Sequence, residues 1–246
     1  MSAKRSKSSK KASFGGGRGR ELDAYLQQSQ RPLVILAYLM PFVLLYEMGA
    51  RFYRVDVVAY SLFRELPAWF GIYGRGVPAA LLILTLLIWH LAISDRWHVQ
   101  IRTLIWMLLE SAVLALPVLA IAILCHRYIP AAASSHQPAA ALWSISLGAG
   151  VYEELMFRFY GCGLLRLIAE NSLRLKPLAC TIAVVLVSSV LFSLYHYLQE
   201  PFSIFTFVFR TVAGAYFATL FIYRGLGITA GSHAIYDLIV VTLGQL

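Results

Sequence analysis

Charge is scarce in this chain. Only 13% of its 246 residues are Asp, Glu, Lys or Arg, against 59% hydrophobic, and the mean hydropathy is +0.70. Soluble domains carry about 25% charged residues. The composition therefore excludes an ordinary soluble fold and indicates an integral membrane protein. Cysteine is scarce as well. Cys125, Cys162 and Cys180 have neither metal-ligand nor redox spacing, which leaves them as small apolar packing residues. Acid is missing from residues 1–20, where seven lysines and arginines stand. That stretch is rich in Ser, Gly and Lys, has no apolar body, and reads as disordered. Beside a membrane it suits anionic lipid rather than nucleic acid. It is not expected to be a cleavable signal. The first apolar run starts at Pro32, is too long for a signal core, and has no small-residue cleavage site after it.

What is abundant is apolar sequence in runs near the roughly 20 residues a bilayer requires. Seven such runs lie at about 32–50, 77–94, 101–124, 140–165, 178–198, 202–223 and 226–244. The expected fold class is an all-α membrane protein, a polytopic bundle of seven or eight transmembrane helices. Three regions follow: a basic disordered tail over 1–31, helices and an interfacial loop over 32–139, and a C-terminal helical core over 140–246. Pro41 is a candidate kink in the first run. In the connection 51–76, Tyr60, Trp69 and Tyr73 are expected at headgroup level. Cations fall in the basic tail, in "SDRWHVQIR", in "RLIAENSLRLKP" and at Arg224, which places the N-terminus in the cytoplasm. The connection 51–76 runs against this, with Arg51, Arg54, Arg64 and Arg75 only partly balanced by Asp56 and Glu65.

Against this background the stretch "GVYEELMFRFYG" (150–161) stands out. A charge near the bilayer centre costs about 2.5–3.5 kcal/mol even on mild insertion scales, so its presence marks a functional site by default. Glu154 and Arg158 are four residues apart and stack on one helix face, where they can neutralise each other. Glu153 lies about 100° round the helix and is left free for chemistry. A wholly structural three-charge cluster is the competing reading. Further on, Phe192 and His196 are also four apart, as are His233 and Asp237. Singly, His196 reads as an interfacial residue and His233–Asp237 as a buried hydrogen-bonded pair. Together, one free Glu, two His and one Asp on three runs form a plausible acid–base and oxyanion set.

The signatures E-E-x-x-x-R, F-x-x-x-H and H-x-x-x-N/D, in that order on successive membrane helices, resemble the CPBP family. That family groups type II CAAX prenyl endopeptidases with bacteriocin-processing and related bacterial membrane proteins. The matching residues are Glu153, Glu154 and Arg158, then Phe192 and His196, then His233 and Asp237, across about 140–244. The resemblance implies a glutamate-type intramembrane endopeptidase of the bacterial cytoplasmic (inner) membrane. Glu153 and His196 would activate a water, and His233, with or without Asp237, would stabilise the oxyanion. Glu154, Arg158 and Phe192 would be structural support. The substrate would be a membrane-anchored protein or peptide cut near its C-terminus. The resemblance implies no cofactor. The endopeptidases commonly carry Asn at the last position, and an ionised Asp237 cannot donate as an amide does. Asp237 is then either protonated or occupied in orienting His233. One Glu and two His also make a possible zinc set with an open position, so a zinc-dependent version stays open. A scaffold or immunity protein and a proton-coupled transporter stay open as well.

Lesser candidates remain. Arg210 is expected to pair with Asp237 or Glu110, or to bind a substrate carboxylate. Glu47 and Arg51 are expected to form an i, i+4 ion pair. His90, His98, His126 and His136 fall at run ends or in loops and carry no motif. Glu153, His196 and His233 sit at different nominal depths. Their convergence would require helices that break around a water-filled cavity.

Overall fold

A computed structural model describes residues 16–125 and 137–244. Within these residues all regular structure is helical, as lipid demands: a spanning helix satisfies its backbone polar groups internally. Four helices are long and apolar enough to cross a membrane: α2 (Pro32–Tyr53), α5 (Ile101–Cys125), the segment Pro177–Leu198, which contains α8 (Pro177–Tyr195), and α9 (Ile204–Leu243). The apolar α4 (Val77–Ala92) is shorter. The most apolar 18-residue window of α5 is only 17% buried inside the protein. Its outer face carries Ile105, Trp106, Leu109, Val113 and Leu116 exposed, a surface suited to lipid rather than water.

α9 is one helix only by hydrogen bonding. Gly225 within it has φ 77°, ψ 178°, a region essentially reserved for glycine. Phe217 and His233, eight residues on either side, stack with ring centroids 4.7 Å apart. In a continuous helix sixteen residues span about 24 Å. The chain therefore turns back at Gly225, and 204–224 and 226–243 form a helical hairpin. This agrees with the separate sixth and seventh apolar runs of the sequence. α9 packs on α5, on α8 and on α6 (Ala139–Glu154), while α2 packs on α6 and α4. α6 continues through a π-helical segment, Leu155–Cys162, into the short α7 (Gly163–Leu167) and a second π segment, Ile168–Ser172. π segments widen a helix and recur at functional sites.

Several expectations are corrected. The disordered tail does not reach residue 31, because Gly16–Gln28 form helix α1. Side chains beyond the basic stretch dock it. Tyr25 donates to Glu110, and Thr103 donates to Gln28 at 2.8 Å. Residues 1–15, with most of the basic cluster, lie outside the described residues, as do His126 and His136. Pro41 lies inside α2, which continues past it to Tyr53. Tyr60, on α3 (Val58–Ala68), is 1% exposed, so its ring is enclosed by protein. It packs edge-on against Tyr46 and Tyr152 and donates to Glu47 at 3.1 Å. Trp69 and Tyr73 are exposed. Glu47 accepts from Tyr60 and Tyr152 instead of pairing with Arg51. Cys162 and Cys180 are buried, and all three cysteines are free. His90 is buried, with its ring edge-on to Trp97.

Candidate active site

α6 brings the charged stretch into the bundle. A Cβ on Gly150 would lie 2.5 Å from the backbone and Cβ of Ala234, so α6 and the second arm of α9 touch backbone to backbone. That approach sets Glu154, one turn beyond Gly150, against His233. His233 Nδ1 donates to Glu154 Oε1 at 2.8 Å. The other carboxylate oxygen, Oε2, lies 3.1 Å from Arg158 Nε, with both side chains fully buried. Arg158 also donates to the Gly214 carbonyl at 3.2 Å, and its guanidinium sits 4.5 Å over the Phe192 ring. The expected Glu154–Arg158 pair is therefore present. The expectation omitted that Glu154 also holds the imidazole of a distant helix.

Glu153 is 5% exposed and faces the other way. Its Oε2 is 3.9 Å from His196 Nε2, and Oε1 accepts from the Tyr195 hydroxyl at 3.5 Å. His196 falls in the 3-10 turn His196–Leu198 that closes α8. Its Nδ1 donates to the Phe192 carbonyl at 2.8 Å, which aims Nε2 at Glu153. Phe192 also touches the rings of His196 and His233. His233 Nε2 lies 3.5 Å from Asp237 Oδ2. Glu153, Glu154, Arg158, Phe192, His196, His233 and Asp237 thus form one continuous cluster. Nominal depth misleads because the helices break where they are needed: α6 becomes π-helical just after Glu154, α8 ends in a tight turn at His196, and α9 reverses at Gly225. A cavity of about 380 Å³ lies elsewhere, lined by Trp89, Phe159, Cys162, Cys180 and Phe221 among others.

With these contacts in place, the chain can be compared with known proteins. Residues 134–239 match the family model described as Rce1-like, type II CAAX prenyl endopeptidase. Over this stretch the chain is similar to the type II CAAX prenyl endopeptidases. No curated protein and no solved structure matches the chain. The matched stretch contains every residue of the cluster, while α1 to α5 lie outside it.

Arg210 does not join the cluster. It pairs with neither Asp237 nor Glu110 but donates to Glu200 at 2.8 Å, because the turn after His196 folds Glu200 back over the first turns of α9. Glu110 is held instead by Arg224 through two hydrogen bonds of 2.5 and 2.7 Å. Sequence reading missed Tyr195 and Phe217. Tyr195 adjoins His196 and could have been noticed. Phe217 could not, since its stack on His233 exists only through the hairpin. Among the described residues no three His, Cys, Asp or Glu side chains are grouped to hold a metal ion.

Proposed function

We propose that this chain is a glutamate-type endopeptidase that cuts a membrane-anchored protein or peptide near its C-terminus. The observation that carries the proposal is the Glu153–His196 pair. A separation of 3.9 Å is too long for a direct hydrogen bond and near what one bridging water spans. A water held there gives its proton to Glu153 as its oxygen attacks the scissile carbonyl carbon, with His196 orienting it. The proton then passes to the amide nitrogen as the C–N bond breaks. With His233 Nδ1–H committed to Glu154, Nε2 is the atom that faces the developing oxyanion. It donates only when the ring carries both protons. The carboxylates of Glu154 and Asp237 flank the two ring nitrogens, which makes Asp237 a positioning residue. Glu154, Arg158 and Phe192 fix the imidazoles.

All seven apolar runs are assigned as spanning, with the N-terminus in the cytoplasm of a bacterium and the basic residues before α1 against anionic lipid. The substrate is a prenylated C-a-a-X protein or a C-terminal membrane tail. The test is a comparison of membrane-protein C-termini from cells carrying the parent and Glu153→Gln forms. New prenylcysteine ends, or trimmed transmembrane tails, present only with the parent would support cleavage and identify the substrate. Identical C-termini would refute a peptidase role and leave a scaffold.

A further inference from the structure

A second polar site lies at the far end of α2, outside the stretch that matches the protease family. A cavity of about 300 Å³ is lined by Glu47, Arg51, Asp56, Tyr60, Arg75 and Gly76, with Met48 and Ala50. Its charges are of both signs and are poorly neutralised within the chain. The Glu47 carboxylate, in a membrane-crossing helix, receives only the hydroxyls of Tyr60 and Tyr152, at 3.1 and 3.2 Å. Arg51, one turn further along, does not pair with it. Asp56 Oδ2 is held by Arg64 at 3.1 Å, but Asp56 Oδ1 is shielded from solvent and finds no hydrogen-bond partner among the described residues. Arg75 is held by backbone contacts: its carbonyl lies against the same Tyr60 hydroxyl, and one guanidinium nitrogen donates to the Ala50 carbonyl at 3.3 Å. Gly76, at the same wall, directly precedes α4.

We propose that this cavity binds a zwitterionic headgroup of the phosphoethanolamine type, a phosphate joined to a primary ammonium. Arg51 and Arg75 form the phosphate side, since guanidinium forks suit phosphate. Glu47 and Asp56 form the ammonium side. Carboxylates accept, and a primary ammonium offers three donors. A trimethylated choline has no N–H to give, so the site discriminates between the two commonest zwitterionic headgroups. The bilayer is the natural source. The cavity adjoins the end of a spanning helix, beside the exposed aromatics Trp69 and Tyr73, at the depth where headgroups and interfacial aromatics meet.

The test uses the purified full chain in detergent. Its unfolding midpoint is titrated with short-chain phosphatidylethanolamine, with phosphatidylcholine and phosphatidylglycerol of the same chains, and with soluble phosphoethanolamine. Phosphatidylethanolamine should raise the midpoint at concentrations where the other two lipids do not. Glu47→Gln should weaken that response about tenfold or more, the scale of one charge-assisted hydrogen bond. So should Arg51→Gln, whose parent side chain is exposed and makes no ion pair among the described residues, so that the fold should stay intact. Soluble phosphoethanolamine acting alone with the same dependence on Glu47 and Arg51 would support the site with a source in solution. A requirement for the lipid anchor would support it with a source in the bilayer. Equal shifts with phosphatidylethanolamine and phosphatidylcholine, or an undiminished response in Arg51→Gln, would overturn the proposal. Neither outcome depends on peptidase activity.

Discussion

Glu154 on α6 accepts a hydrogen bond from His233 on the returning arm of α9, at 2.8 Å, while its second oxygen faces Arg158 at 3.1 Å. One carboxylate thus neutralises a buried guanidinium and fixes the ring of a candidate catalytic residue. Its neighbour Glu153 touches neither partner closely and instead faces His196 and Tyr195. Adjacent positions on a helix point about 100° apart, and the protein uses that angle to give two glutamates different partners.

Replacing each glutamate should separate the two roles. Glu154→Gln leaves Arg158 as a buried charge without its counter-charge, and breaking such a pair costs about 3–5 kcal/mol. Its yield and melting temperature should fall clearly. Glu153→Gln should melt near the parent temperature and lose turnover by about 10²–10⁴-fold, the usual contribution of a general base. The reverse pattern would exchange the assignments.

Asp237 should matter as a carboxylate. Its Oδ2 lies 3.5 Å from His233 Nε2, and Arg210, the other cation it was expected to neutralise, is taken by Glu200. Asp237→Asn should therefore lower turnover, approaching the ~10²–10³ lost with an oxyanion donor, with little change in substrate affinity. An Asn variant that melts normally and keeps at least about half the parent turnover would instead show Asp237 acting as a neutral donor, as a protonated acid or an amide can.

The turn at Gly225 should tolerate only glycine. A Cβ there would have room, its nearest neighbour being Gln30 Cγ at 3.7 Å, so the cost of Gly225→Ala is conformational. At φ 77°, ψ 178° it should be about 1–3 kcal/mol, read as a lower melting temperature. Because the turn positions His233, turnover should fall as well. An unchanged melting curve would argue against the hairpin.

Acid should loosen the junction between α1 and α2 and the α4–α5 loop. Arg31 Nε donates to Asp95 at 2.5 Å, and this hydrogen bond holds the Asp95 carboxyl below its ordinary value. A lowered carboxyl contributes stability above the unfolded-state value, about 3.9, and loses it as pH falls through the folded value. Hydrogen exchange at residues 94–96 should rise below about pH 4 in the parent. In Arg31→Gln it should already be raised at neutral pH. Equal exchange in both forms at pH 7 would show that the contact does not hold this loop.

If Glu153 and His196 activate the water without a metal, activity should survive a strong chelator. Loss of activity on chelation, restored by about one equivalent of zinc per chain, would turn Glu153, His196 and His233 into ligands.

Helical periodicity made the local half of the site legible in the sequence. Glu154 with Arg158 and His233 with Asp237 are i, i+4 pairs, and any helix places such residues on one face. Composition likewise determined the membrane class, because few charges and long apolar runs have no soluble solution. Tertiary structure decided the contacts between elements. Glu154 meets His233 because Gly150 lets two backbones touch. Glu153 meets His196 because α8 ends in a turn at that residue. Tyr60 is buried because Glu47 needs its hydroxyl, and Arg210 turns to Glu200 because a loop folds back. Each of these contacts depends on where helices break and how closely they pack, and hydropathy, which averages over a whole run, records neither.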